Sequence, residues 1–69
     1  MAALIINGED KNFENDVPTT LKNLLDVLKV DQATVVAEVN GQIVPRSGFQ
    51  NAILKDGYKI ELVRFVGGG

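Results

Sequence analysis

Residues 20–28 read TLKNLLDVL, and this stretch decides the fold. Its apolar side chains recur at i, i+3, i+4 and i+7, a spacing that places them on one face of an α-helix. They are Leu21, Leu24, Leu25 and Leu28. Either Thr19 or Thr20 can cap the helix, because a threonine hydroxyl accepts a hydrogen bond from a free backbone N–H group of the first turn. We predict one amphipathic helix whose leucine face is buried in the core.

The segment before the helix predicts a β-hairpin. Residues 3–6 are apolar and partly β-branched, which favours a strand. Asn7-Gly8 follows, and this dipeptide readily takes the positive φ angles of a tight turn. The return strand is predicted at Lys11–Glu14, where Phe13 is the one large apolar residue.

Two further strands are predicted shortly after the helix. Val35–Val39 is rich in β-branched residues, and Asn40-Gly41 supplies a second tight turn. Gln42–Val44 is expected to form a short strand that ends at Pro45, because proline cannot donate a hydrogen bond to a strand ladder. These segments predict a second hairpin.

The rest of the chain combines an irregular segment with a last strand. Residues 46–54 are predicted to be irregular with room for one helical turn, and Phe49 and Ile53 are expected to pack beneath it. Residues 55–57 read Lys-Asp-Gly, which is typical of a turn. The last strand is predicted over residues 58–65.

The resulting order, β-β-α-β-β-β, predicts the fold class. Two strands, one helix and then more strands suit an α+β domain with a mixed sheet of four to five strands and the helix across one face. The first and last strands would lie side by side in the middle, as in a β-grasp. Residues 1–66 are expected to form this single domain, and residues 67–69 a flexible glycine tail.

Length and composition exclude several function classes. The chain has 69 residues, a net charge of −2, and neither cysteine nor histidine. A domain of this size has a thin core with little room for a walled active site, so we expect a protein that is not an enzyme. Thiol and histidine chemistry are excluded, and the acidic balance argues against nucleic-acid binding. Without an apolar span or a targeting segment, a cytoplasmic protein that does not bind membranes is expected.

The last three residues, Gly67-Gly68-Gly69, admit two interpretations. Chain ends rich in glycine are often loose, so the tail can be passive. Alternation along the last strand favours a functional tail. If Ile60 and Leu62 face the helix, Val63 and Phe65 face solvent, unless a bulge turns Phe65 inward. An exposed aromatic side chain beside bare glycines is typical of an anchor for a partner.

A glycine tail also permits a specific chemistry. Because glycine has no Cβ, the tail can pass through a channel too narrow for any side chain and present the terminal carboxylate of Gly69. That carboxylate can attack the α-phosphorus of ATP and become an acyl-adenylate. A sulfur donor that displaces AMP leaves a thiocarboxylate, whereas an amine leaves an amide. Because the chain has no cysteine, any sulfur it carries must sit at the terminus.

Several segments together match one family over nearly the whole chain. They are Ile6-Asn7-Gly8-Glu9, then Thr20 with Leu21, Leu24 and Leu25, then residues 39–46 (VNGQIVPR), Asp56-Gly57, Ile60-Glu61-Leu62, and residues 65–69 (FVGGG). With these segments in this order, the chain resembles the ThiS family, which are thiamine-biosynthesis sulfur carriers with a ubiquitin-like β-grasp fold. Each segment alone is common, and their ordered combination is what carries the resemblance.

The resemblance implies a role for each residue of the tail. An E1-like activating enzyme of the ThiF type, which binds ATP and magnesium, would adenylate Gly69, the covalent carrier. A relay fed by cysteine desulfurase would then form the thiocarboxylate, and thiazole synthase would take the sulfur. Gly67 and Gly68 would thread into the partner, and Phe65 and Val66, with Val63, would dock. The chain itself would hold no cofactor and no metal.

Three alternatives remain open at this point. The small subunit of molybdopterin synthase shares the fold and the chemistry, but commonly has prolines shortly before its glycines, whereas Pro45 lies far upstream here. A protein modifier would transfer the activated terminus to a lysine amine. An interaction module would not use the tail at all. Arg46, which follows Pro45 in the family pattern, is expected to be a solvated arginine or part of a local ion pair.

Overall fold

The strands and the helix follow the predicted order. The protein is described by a computed structural model, which covers residues 2–65. Its elements are β1 (Ala2–Ile6), β2 (Glu9–Phe13), α1 (Leu21–Leu28), β3 (Val35–Val39), β4 (Gln42–Val44) and β5 (Lys59–Arg64), with single 3-10 turns at Gln32–Thr34 and Arg46–Gly48. The order β-β-α-β-β-β is therefore confirmed. The first strand begins one residue earlier than predicted, and the last strand is one residue shorter than predicted at each end.

The five strands form one mixed sheet in the order β2-β1-β5-β3-β4. The pairing of β1 with β5 is parallel, and the other three pairings are antiparallel. The first and last strands are thus adjacent, as predicted, and β5 is the middle strand. A parallel pair needs a long connection, and residues 7–58 supply it through the first return strand, the helix and the second hairpin.

The helix begins at a threonine cap and ends at a left-handed residue. Of the two candidate caps, Thr20 is the one used, since its Oγ1 accepts a hydrogen bond of 3.1 Å from the Asn23 N–H. Lys29 has φ 59° and its N–H donates to the Asp26 carbonyl, which closes the last turn. Within residues 2–65, no helix is long and apolar enough to cross a lipid bilayer.

The core lies between the leucine face of α1 and one face of the sheet. It consists of nine buried apolar side chains, which are Leu4, Leu21, Leu24, Leu25, Val35, Ala37, Phe49, Leu54 and Ile60. The strands β1, β3 and β5 supply four of these side chains, and the two from β3 lie two residues apart, as the period of a strand requires. Burial of large side chains such as these stabilises a small domain by about 1.5–3 kcal/mol each.

The irregular segment between β4 and β5 closes the N-terminal end of the helix. Phe49 is buried there, as predicted, and its carbonyl accepts a hydrogen bond of 3.1 Å from the Lys22 N–H. The Ala52 carbonyl accepts one of 2.9 Å from the Leu21 N–H. These carbonyls satisfy two of the N–H groups that the first turn of any helix leaves free. The segment is therefore fixed to the helix although it has little regular structure.

Two details of the sequence prediction were wrong. The second strand is Glu9–Phe13 rather than Lys11–Glu14, because the turn uses only Asn7-Gly8 and Glu9 already pairs with Ile6. Ile53 does not pack in the core, since 53% of it is exposed. It forms an isolated bridge with Thr20, and in this extended backbone the neighbouring Leu54 takes the inward position.

Both asparagine-glycine turns are tied to β5 by their asparagine side chains. Asn7 and Asn40 have φ of 51° and 50°, the left-handed region that asparagine tolerates better than most residues. The Oδ1 of Asn7 accepts a hydrogen bond of 2.8 Å from the Leu62 N–H, and its Nδ2 donates to the Leu62 carbonyl at 3.2 Å. The Oδ1 of Asn40 accepts one of 2.9 Å from the Lys59 N–H. The turns therefore hold the middle strand as well as reversing the chain.

The capping role of Thr20 gives a direct test of the fold. Replacing Thr20 with alanine should lower the free energy of unfolding by about 1 kcal/mol, because the Asn23 N–H loses its acceptor. Thr19→Ala is the matched control, since Thr19 is exposed and contributes its backbone carbonyl to the Leu54 N–H. Urea unfolding followed by circular dichroism measures both variants. Equal effects of the two substitutions would contradict the assignment of the cap.

The side chain of Asn7 gives a second test. Asn7→Gly keeps a residue that accepts positive φ but removes both hydrogen bonds to Leu62, so the domain should lose about 1 kcal/mol of stability. The Leu62 amide should also exchange with deuterium faster, whereas the Glu61 amide, which faces β3, should keep its protection. Amide exchange read by NMR measures both. Unchanged protection of Leu62 would show that the side chain does not hold the strand.

Candidate functional site

The outward face of β5 carries an exposed apolar patch near its end. Val63 is 60% exposed and Phe65 is 44% exposed, although both belong to or follow the middle strand of the sheet. Val36 of β3 lies directly opposite Val63 and is 43% exposed. We call these three side chains, Val36, Val63 and Phe65, the end patch. It lies at the point where the described chain leads into the glycine tail.

The alternation of β5 explains why this face is open. Ile60 is fully buried and Leu62 is half-buried, since both face the helix. Val63 and Phe65 therefore point to the other side, as predicted. A bulge that would turn Phe65 inward is not present, because pairing with β3 runs in register to Arg64 and the Phe65 N–H donates to the Thr34 carbonyl at 3.0 Å.

Val36 is the member of the end patch that sequence reasoning missed. It belongs to a run of apolar residues, Val35 to Ala37, in which alternation alone does not say which side is buried. The available signal was the register with β5, and a single sequence does not contain it. In the structure Val35 and Ala37 are buried, so Val36 is directed outward.

Two glutamates border the end patch on the same face. Glu38 of β3 and Glu61 of β5 lie directly opposite each other, two register positions further from the tail than Val36 and Val63. Like charges in this position weaken a sheet by a fraction of a kcal/mol. Ile43 of β4 lies beside Glu38 and is 67% exposed. The face is thus apolar close to the tail, and further from the tail it carries two carboxylates with an exposed isoleucine beside them.

The middle strand, which carries Val63 of the end patch and leads into Phe65, is hydrogen-bonded on both sides. On one side, the Ile5 and Asn7 N–H groups donate to the Tyr58 and Ile60 carbonyls at 3.0 Å and 2.9 Å. On the other side, β5 pairs with β3 over five residues. A site on a strand that is hydrogen-bonded on both sides has a fixed position relative to the core.

The tail itself lies outside the described residues. Val66, Gly67, Gly68 and Gly69 were predicted to dock, thread and carry the sulfur, and the predicted boundary between domain and tail falls among them. Their roles stay predictions. The structure places Phe65, the last described residue, at the start of this segment and on the exposed face.

Arg46 belongs to a different surface. It is exposed and lines a shallow cleft on the helix side with Lys22, Gln32, Ser47 and Gln50. In residues 2–65, the salt bridge that forms is between Lys22 and Asp26, at 3.2 Å. Of the two expectations for Arg46, the solvated side chain is therefore the one observed. Across the same residues, no group of histidine, cysteine, aspartate and glutamate side chains could hold a metal ion.

Comparison with known proteins gives the family directly. The ThiS family matches residues 4–69. The sulfur carrier protein ThiS of Bacillus subtilis is 33% identical over 66 residues, which are 96% of this chain and 98% of that protein. A thiazole synthase of Paramagnetospirillum magneticum is 44% identical over 96% of this chain, and the chain spans only about a fifth of its length, 20%.

The fold agrees with the same family. A crystal structure of the thiamine biosynthesis protein ThiS from Geobacter metallireducens superposes with a TM-score of 0.80. That protein is 35% identical, and the match covers 97% of this chain and 99% of that one. The β-grasp predicted from the element order is thereby confirmed. The family match over nearly the whole chain and the shared fold show that this chain belongs to the ThiS family of sulfur carriers in thiamine biosynthesis.

Proposed function

We propose that this protein carries sulfur as a thiocarboxylate on the C-terminal carboxylate of Gly69. The observation that carries the proposal is the end patch, an exposed apolar surface fixed on the middle strand immediately before the glycine tail. Exposed apolar surfaces that include an aromatic side chain are typical of protein contacts. Gly67 and Gly68 then thread into the partner, and Gly69 is the group that reacts.

The chemistry proceeds in two stages, and other proteins catalyse both on the carrier. In the first, a carboxylate oxygen of Gly69 attacks the α-phosphorus of ATP, the bond to the β-phosphate breaks, and pyrophosphate leaves. In the second, sulfide attacks the acyl carbon, AMP leaves, and a thiocarboxylate remains. Where the sulfur arrives as a persulfide, the attack gives an acyl disulfide instead, and a thiol then attacks the relay sulfur of that disulfide, which forms a new disulfide on the relay and releases the thiocarboxylate. An E1-like activating enzyme of the ThiF type supplies ATP and magnesium, and a relay fed by cysteine desulfurase supplies the sulfur.

The end patch sets how far the reacting group can reach. Four residues follow Phe65, and a fully extended chain spans at most about 3.3–3.6 Å per residue, so Gly69 reaches roughly 13–14 Å beyond the patch. A partner must therefore offer an apolar contact for Val36, Val63 and Phe65 at about that distance from its reacting centre. Positive charge beside this contact would complement Glu38 and Glu61.

Thiazole synthase is the acceptor that the comparisons favour. Two proteins called thiazole synthase, from Paramagnetospirillum magneticum and Magnetococcus marinus, match this chain over 20% and 19% of their own lengths. A carrier-like segment in the same polypeptide as the synthase supports a direct encounter between the two. We place the carrier in the cytoplasm and assign it no catalytic activity of its own.

The first prediction for function concerns the mass of the protein. Incubation with a ThiF-type enzyme, ATP, magnesium and sulfide should replace one terminal oxygen by sulfur, which intact mass spectrometry detects. Deletion of Gly69 should abolish the change without altering the circular dichroism spectrum, because the core formed by the described residues lies between Leu4 and Ile60. In a thiamine auxotroph, the full chain should restore growth without thiamine and the truncated chain should not.

Other outcomes of that experiment separate the alternatives. Release of pyrophosphate without gain of sulfur, together with adducts on lysine side chains, would indicate a protein modifier. Transfer of the sulfur to a molybdopterin precursor but not to thiazole synthase would indicate the molybdopterin pathway. Growth supported by the truncated chain would show an interaction module that does not use its tail.

The second prediction concerns the end patch. Phe65→Ala should weaken binding to the activating enzyme by about 2 kcal/mol, because a central aromatic anchor is removed. The fold should be retained, since Phe65 lies outside the core. Val27→Ala is the matched control, because Val27 is 55% exposed on the helix, on the other side of the sheet. Titration calorimetry measures affinity and urea unfolding measures stability. Loss of stability at unchanged affinity would make Phe65 a structural residue.

A further inference from the structure

The middle strand continues past the end of its parallel neighbour. Along β5, the groups that face β1 are those of the even-numbered residues, since the Tyr58 and Ile60 carbonyls accept from the Ile5 and Asn7 N–H groups. The next hydrogen bonds on this side are made by a side chain. The side-chain amide of Asn7 accepts from the N–H of Leu62 and donates to the carbonyl of Leu62. β1 has ended by this point, at Ile6.

At Arg64, two residues after Leu62, the backbone of β5 has no neighbouring strand on the β1 side within residues 2–65. Arg64 pairs with Val35 of β3, but the Phe65 N–H bonds the Thr34 carbonyl, so hydrogen bonds to β3 fall on the odd-numbered residues. The N–H and carbonyl of Arg64 therefore point to the side where β1 would have continued. Within residues 2–65 they have no backbone partner there.

A groove with an apolar floor lies beside this open edge, on the helix side of the sheet. It encloses about 350 Å³ and is lined by Asn7, Leu28, Val30, Val35, Leu62 and Arg64. The charged group at its border is the guanidinium of Arg64, and in the described part of the chain no carboxylate lies within 4.0 Å of it. Apolar floor, free positive charge and unpaired backbone thus occur together at one place.

We propose that an extended segment of the adenylating enzyme adds to the sheet as a short strand at Arg64. Its backbone pairs with the N–H and carbonyl of Arg64, one apolar side chain enters the groove, and a carboxylate pairs with the guanidinium. Addition of a strand takes its affinity from backbone hydrogen bonds and its specificity from alternate side chains. The proposal rests on the function proposed above and adds to it a second contact, on the face opposite the end patch.

The position of this contact suits the activating step. Adenylation requires the carboxylate of Gly69 within about 3–3.5 Å of the α-phosphorus. Glycines have no side chain for a partner to contact. The enzyme must therefore bind the tail through its backbone, or bind the residues that precede the tail. Arg64 is the last strand residue before it, and pairing there would direct the following residues along the strand axis.

The test compares three variants of Arg64 in the complete chain. Arg64→Ala removes the charge, and Arg64→Lys keeps it. Arg64→Pro removes the charge and also the N–H on the open side, while the bonds to β3, which use Val63 and Phe65, remain. The residue before a proline must be extended, which Val63 already is. Adenylation is measured as ATP–pyrophosphate exchange, and folding by circular dichroism.

The expected result is a graded loss. The kcat/KM for adenylation of Arg64→Lys should be close to that of the chain without substitutions. For Arg64→Ala it should fall several-fold. For Arg64→Pro it should fall about tenfold further, because one hydrogen bond can no longer form. Equal values for Arg64→Ala and Arg64→Pro, both folded, would overturn the proposal. A loss seen only with thiazole synthase would also overturn it, because the site would then belong to that enzyme.

Amide exchange in the chain without substitutions tests the same contact, and it does not require the proline variant to fold. The Arg64 amide should exchange rapidly with deuterium in the free protein and about tenfold or more slowly in the complex with the adenylating enzyme. The Leu62 amide, already bonded to Asn7, is the internal reference. An Arg64 amide that stays unprotected while pyrophosphate exchange proceeds would refute the added strand alone. If the chain without substitutions supports no ATP–pyrophosphate exchange, the proposed function itself is refuted instead.

Discussion

The hydrogen bonding of β5 on both sides is the constraint on which the rest of the structure depends. Its parallel pairing with β1 joins the first and last parts of the described chain, and its pairing with β3 adds the second hairpin. Ile60, on this strand, is fully buried against the helix. An unpaired buried backbone group would cost about 1–3 kcal/mol, so both hairpins are held in the arrangement that pairs this one strand. The helix packs on the buried face of the same sheet through its leucines.

This constraint also shapes the candidate site. A strand in the middle of a sheet cannot rotate, so its inner side chains fill the core and its outer ones have to face the opposite surface. Val63 and Phe65 are exposed for that reason, and Val36 joins them through the register with β3. Beyond Asn7 the same strand loses one neighbour, which leaves Arg64 with an open edge on the other side. Close to Phe65, the described chain thus has an exposed apolar patch on one face of the sheet and a strand edge without a neighbour at Arg64.

Local signals allowed most of the fold to be predicted. The leucine spacing located the helix, Asn7-Gly8 and Asn40-Gly41 located two turns, and alternation along the last strand gave the correct outward face. The errors came where local signals were ambiguous. All residues of the second strand except Phe13 are polar, so no apolar alternation marks where the strand begins. Ile53 is apolar, but it lies in an extended segment in which its neighbour Leu54 faces inward.

The sequence by itself determined the order of elements, the side of β5 that is buried and the chemistry open to a chain that lacks cysteine and histidine. These follow from periodicity and residue type, which need no knowledge of distant neighbours. Only the tertiary structure decided that Val36 completes the end patch, that Thr20 rather than Thr19 caps the helix, and that Asn7 replaces a strand rung at Leu62. The positions of Val36 and Asn7 depend on register between segments far apart in the chain, and hydrogen bonds across a folded sheet set that register. The choice between two adjacent threonines depends on which hydroxyl faces the first turn, and the two residue types are identical in sequence.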